Sequence, residues 1–431
     1  MTGGIAACDA ILGDLHTRDA AVPEDGPGVD ARDSGLDARR HDAHADASPL
    51  EGGPTEEAGE AGDPGNLTGL QAGAPWPMQD RDPNHTCQSP YAGPGSAVHV
   101  AWMLHLGGNV TNPPAIAADG TLYMASEGTP SFFAISPSGS IQWMITLPDP
   151  GNGGHRTPAI AADGTLYVGT EKALVALYPD GGTKWNYPAP SLSFYGGPSV
   201  APDGTIYAST VGGNIVALNP AGTLLWIYNG AAGTQFYAST TFGKNGSIYA
   251  GSNADVVALD SDGGPEWQYP VDAEVFASPS LAHDGTIYAA TGQGNVYAFD
   301  TTGGLLWSLT TGGDRIFTDI AVAADGTIYF GSFDAKFYAT SPDGGVKWTY
   351  TTGAAVEATP VVGSDGTVYT ASDTGVVYAF SPEGKIVWMQ TIAPLDAGTA
   401  DAGLRMFGGS IDAKGNLYIG TGDGRLIAFS P

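Results

Sequence analysis

The chain has 431 residues, with 16 Lys and Arg against 45 Asp and Glu and a formal net charge of -29. That balance excludes binding along nucleic acid backbones and electrostatic docking on anionic lipid, both of which need a basic surface. Cys8 and Cys87 are the only cysteines, too few for a disulfide framework or a cysteine zinc site, and no apolar run is long enough for a transmembrane helix.

The first elements in chain order are not structural. Ile5-Ala6-Ala7-Cys8 resembles a bacterial lipobox, in which small residues precede a cysteine that becomes lipidated. Residues 1–8 are therefore read as the remnant of a lipoprotein signal ending at Cys8. No Lys or Arg precedes Cys8, so the basic part of such a signal is expected upstream of the given start; a chance four-residue match is the alternative. Residues 9–75, rich in Asp, Ala, Pro and Gly, read as a disordered tether whose apolar content cannot offset chain entropy. His41 and His44 within it read as solvated, not as metal ligands. Residues 76–97 form a lead-in segment.

From residue 98 to residue 431 one pattern recurs. A turn of the type Asp-Gly-Thr-x-Tyr places tyrosines at 123, 167, 207, 249, 288, 329, 369 and 418, and tryptophans follow at 102, 143, 185, 226, 267, 307, 348 and 388. Successive tryptophans lie 40 to 42 residues apart, a period that with strand-like segments means a β-propeller. In one copy the strands are expected at residues 197–201, 205–210, 215–219 and 223–228, separated by Gly-rich turns. An alanine stands nine residues before each of the seven tryptophans from Trp143 to Trp388, as Ala217 before Trp226. This constant offset fixes the register between third and outer strands, and the small side chain leaves room for the indole.

The chain ends at Ala428-Phe429-Ser430-Pro431, where a next tryptophan strand should begin, while the strand of Trp102 has no inner strands before it. The two fragments complete one another. The fold class is therefore all-β: an eight-bladed propeller of four-stranded antiparallel blades, closed by the N-terminal strand.

The turn, together with Ala258-x-Asp260-x3-Gly264-x2-Trp267, resembles the tryptophan-docking repeat of eight-bladed quinoprotein propellers, and Trp76 to Pro94 is similar to the lead-in that precedes such repeats. The resemblance implies one of two kinds of protein. One is the pyrroloquinoline-quinone-dependent alcohol or sugar dehydrogenases, with the quinone and calcium as cofactors. The other is the group of non-enzymatic propellers similar to the scaffold lipoprotein of the outer-membrane β-barrel assembly machinery, without a cofactor. The adjacent cysteines typical of the alcohol dehydrogenases are absent from this sequence.

Function on a propeller sits where loops converge on the channel mouth. Twelve residues before each turn tyrosine stand Thr111, His155, Tyr195, Tyr237, Phe276, Phe317, Glu357 and Met406. Arg156, Phe194, Phe236, Glu274, Asp314, Arg315, Asp319 and Arg405 flank them. Scaffold positions barely change between copies while these differ, so the rim is the expected partner or ligand surface. No catalytic set or metal site is read from the sequence. The expectation is a monomeric, non-catalytic propeller that binds a protein or peptide. It would be secreted or held in the cell envelope, touching membrane only through a lipid on Cys8. The quinone-dependent dehydrogenase and a carbohydrate-binding propeller are the alternatives.

Overall fold

The computed structural model describes residues 67–129, 131–147, 157–189, 192–395 and 404–431. The expectations for Cys8, for most of the tether, and for His155 and Arg156 fall outside these residues.

Every regular element among them is a strand, and the strands form eight antiparallel sheets of four. The third blade shows why. Its inner strand is only Ser199–Val200, shorter than expected, as are the two-residue inner strands of six other blades. Ile206–Ser209 and Asn214–Leu218 follow, and Leu224–Asn229 forms the outer edge. The second strand is wholly buried and the third nearly so, as required for strands sandwiched between neighbouring blades. The outer strand alternates exposed and half-buried residues.

The recurring alanine sits in register between the turn tyrosine and the tryptophan: Tyr207 opposite Ala217, and Ala217 opposite Trp226. The two aromatic rings meet over its single methyl group with centroids 5.6 Å apart. Seven of the eight repeat indoles then hydrogen-bond to the following blade. Trp226 Nε1 donates to the Ser261 carbonyl at 2.9 Å, and Trp185 to that of Pro220 at 3.0 Å. Gly263 lies flat on the Trp226 ring with φ of 82°, so close that a Cβ there would stand 2.7 Å from the indole. Only glycine satisfies both demands.

The ring closes as the sequence implies. His99–His105 pairs with Arg425–Ser430, and Trp102 faces Ala428, which faces Tyr418. Trp102 donates to the Pro137 carbonyl of the first blade at 3.0 Å.

The lead-in does more than precede the repeats. It circles the channel as a strap, bonding to one blade after another at the turn end of the inner strands. Trp76 and Ile116 exchange backbone bonds, Ile160 donates to the Pro77 carbonyl, and Phe242, Leu281, Val322 and Val362 donate to those of Pro83, Asn84, Thr86 and Cys87. These amides would otherwise be buried without partners. The docked segment also begins before Trp76: Leu70 is 2% exposed and bridges to Ala161. The tether boundary at residue 75 is corrected accordingly, because Leu70 and Ala74 supply apolar surface that the upstream composition lacks.

A polar cluster holds the strap from within. His85 Nδ1 meets Asp80 Oδ2 at 2.9 Å and its Nε2 meets the Thr240 carbonyl at 3.1 Å. Arg81 bonds Asp82 at 3.2 Å, and Asp82 also takes the Thr86 hydroxyl. Asp80, Arg81, His85 and Cys87 all adopt positive φ, a conformation side chains accept only where surrounding contacts fix it. Burial pushes the Cys87 thiol pKa well up, and no other cysteine stands among the described residues, so it behaves as an inert core residue.

Candidate binding mouth of the channel

The segments that enter each inner strand gather at the channel end opposite the strap's bonds. Four residues from the aligned position come together there. Tyr195 and Tyr237 meet edge to face at 5.9 Å, Tyr237 and Phe276 at 5.0 Å, and Phe276 and Phe317 edge to face at 4.8 Å. Phe333, from the neighbouring turn, extends the row at 5.0 Å. The result is an aromatic arc across blades three to six. Tyr237 is largely buried and its hydroxyl donates to Gln235 at 2.5 Å, while Tyr195, Phe276, Phe317 and Phe333 remain half-exposed.

Blades seven and eight continue the mouth with charge. Arg405 grips Glu357 through Nη2 at 2.6 Å and Nε at 2.9 Å, and its guanidinium lies 5.2 Å from the Phe407 ring centre. Asp373 stands beside this pair and accepts the Met406 amide at 3.4 Å. Burial, and then the Glu357 charge, push its carboxyl up to about 7, against the pull of Arg405. Thr111 is half-buried and accepts from Asn112 at 3.1 Å. Arg315 flanks the arc beside Asp314 and is not without a partner.

Three residues expected at the rim belong to the core instead. Phe194 and Phe236 are 2% and 0% exposed. Each neighbours an arc residue, so its side chain turns to the opposite side, between blades. Met406 is 0% exposed because a register shift between Met406 and Gly409 turns it into the terminal core. The sequence reading passed over Phe333, Asp373 and Phe407, which lie off the aligned position. It also passed over the strap cluster, whose residues occur in no other copy.

Calcium with a tricarboxylate quinone needs a cage of oxygen ligands and cationic partners for the quinone. Among the described residues no group of three or more His, Cys, Asp or Glu is placed to hold a cation, and Arg405 is committed to Glu357. No helix among the described residues is long and apolar enough to cross a membrane.

The geometry defines an eight-bladed propeller of the quinoprotein type, strapped at one channel end and aromatic at the other. The family described as outer membrane protein assembly factor BamB matches residues 97–242, 222–316 and 292–431, and the chain belongs to that family. No curated protein matches the chain. Among solved structures, the quinohemoprotein alcohol dehydrogenase from Comamonas testosteroni is similar at 15% identity and a TM-score of 0.68, over 84% of this chain and 81% of that one. BamB from Moraxella catarrhalis is similar at 19% identity and a TM-score of 0.59, over 78% and 98%. A europium-containing methanol dehydrogenase is similar at 13% identity and a TM-score of 0.68, over 83% and 98%. At these identities the likeness is one of fold.

Proposed function

We propose that this protein is a non-catalytic scaffold of the bacterial cell envelope, whose channel mouth binds a protein or peptide partner. The observation that carries the reading is the half-exposed arc of Tyr195, Phe276 and Phe317 with buried Tyr237 between them. Rigid aromatic side chains on a fixed ring are the anchors that binding surfaces use. The family match supports the scaffold class. In this reading Cys8 carries a lipid, the acidic N-terminal residues tether the propeller, and the protein works as a monomer.

Two experiments test it. A crosslinking pull-down from the producing cell's envelope is expected to recover a discrete polypeptide through the propeller. Supplying pyrroloquinoline quinone with calcium is expected to give no dye reduction across a panel of alcohols and sugars. Robust turnover would replace the scaffold with a dehydrogenase.

A further inference from the structure

We infer that the mouth takes a basic segment, whose lysine or arginine head groups lie against the aromatic arc, above a layer of buried acceptor atoms. This rests on the scaffold reading and names the chemistry of its partner.

Three observations converge. First, the arc presents half-exposed rings, and ring faces attract ammonium and guanidinium groups. Second, carboxylates flank the rings. A Cβ on Gly292 would stand 3.5 Å from both Glu274 Oε2 and the Phe276 ring, and Asp314 precedes Phe317. The nearby Arg405 is already balanced by Glu357. An acidic rim on a chain of net charge -29 draws a basic partner and repels an acidic one.

Third, the layer under the rings holds acceptors with nothing to accept. Gln79 Oε1 and the Ser239 and Ser278 hydroxyls are buried without hydrogen-bond partners, at 7%, 1% and 2% residue exposure. Gln79 Oε1, the Thr157 carbonyl and Ser239 Oγ pack together against Gly197. A Cβ placed on Gly197 would stand 2.9 Å from Gln79 Oε1 and 3.3 Å from Ser239 Oγ. Gly197 lies two residues beyond Tyr195, Ser239 two beyond Tyr237 and Ser278 two beyond Phe276. An amide oxygen can only accept, so it calls for a donor. A lysine or arginine head offers donors and no acceptor, and its aliphatic stem suits the rings it would pass.

The test uses the whole chain and fluorescently labelled peptides of alternating Arg and Leu, Glu and Leu, or Ser and Leu. Binding is followed by anisotropy at physiological salt. The Arg/Leu peptide is expected to bind. Phe276→Ala with Phe317→Ala should weaken it about tenfold or more, as the loss of two cation–ring contacts implies. Glu274→Gln with Asp314→Asn, which keeps the rings and their packing, should weaken it severalfold. Circular dichroism checks that both variants remain folded. If the Arg/Leu peptide binds equally well to both variants, attraction to the acidic chain at large accounts for it and the inference fails. If the Glu/Leu or Ser/Leu peptide binds as tightly and through the rings, the basic class is wrong while the scaffold reading stands. If no peptide depends on the rings and no envelope polypeptide crosslinks to the propeller, both readings fall.

Discussion

Trp388 donates its indole N–H to the carbonyl oxygen of Pro94 at 2.7 Å. In the seven other blades the tryptophan finds its acceptor in the following blade, as Trp348 does at Pro382. The last blade has no such turn, because its outer strand comes from the other end of the chain. Pro94, at the end of the strap, takes the missing turn's place and also accepts the Tyr369 hydroxyl at 3.1 Å.

Trp388→Phe should therefore destabilise the protein more than Trp226→Phe. Both lose one hydrogen bond, worth about 1 kcal/mol. Trp388 is 7% exposed, so its hydrogen bond and ring contacts are shielded from water, and its loss leaves the buried Pro94 carbonyl with the Tyr369 hydroxyl alone, whereas Trp226 is only half-buried. Urea unfolding should show a cost of about 2 kcal/mol or more for Trp388→Phe against about 1 kcal/mol for Trp226→Phe. Equal costs would mean that the strap does not share in closure. Deleting residues 98–106 should open the ring and cause aggregation, visible in size-exclusion chromatography.

Turn glycines separate backbone strain from contact. Gly246 has φ of 88° with nothing within 4 Å of an added Cβ, while Gly263 has φ of 82° with Trp226 at 2.7 Å. Gly246→Ala should cost about 1 kcal/mol for the left-handed backbone alone. Gly263→Ala must also displace an indole, so its cost should be about 2–4 kcal/mol. A matching pair of melting temperatures would refute the stacking account.

The strap should hold more firmly in mild acid. Burial lowers the His85 pKa, but the Asp80 hydrogen bond and the charges of Asp80, Asp319 and Asp82 outweigh it, so the folded value lies above 6.5. The folded state therefore binds the proton more tightly than the unfolded state. The stabilisation is complete below 6.5 and fades as pH rises through the higher folded value. The stability gap between the native chain and His85→Gln should be wider at about pH 5.5 than at about pH 8.5. A gap independent of pH would show that His85 stays neutral.

Asp373 gives a second pH dependence. Its carboxyl holds a proton up to about 7 in the folded state, against 3.8 ordinarily. Between those values the folded state binds more protons, so ionisation drains stability as pH rises, opposite to the usual carboxylate. Asp373→Asn removes that loss. It should be more stable than the native chain at about pH 8, by about 1–3 kcal/mol once residual solvation is allowed for, and roughly equal at about pH 4. A destabilised variant at the higher pH would mean that the carboxylate is needed charged beside Arg405.

The scaffold was legible because packing repeats itself. A ring of blades needs the same tyrosine, alanine and tryptophan at every interface, so closure could be read from Ala428 and Trp102 before any coordinates. The strap was not, because Asp80, Arg81, His85 and Cys87 each occur once and follow no period. Their left-handed backbone also contradicts what those residue types suggest alone. At the mouth, counting back from the turn tyrosine found Tyr195, Tyr237, Phe276 and Phe317. It misplaced Met406, because a register shift breaks the count. Phe194 and Phe236 were misassigned because composition does not say which side of an extended segment meets the next blade.

The central claim is that the mouth, and not the strapped end, receives the partner. A photocrosslinking amino acid placed at Phe276 or at Phe317 tests this in the producing cell, against one placed at exposed Asp343 in a turn of the opposite face. The account predicts a discrete polypeptide adduct from the two mouth positions and none from residue 343. Adducts from residue 343 alone, or equally from all three, would contradict it.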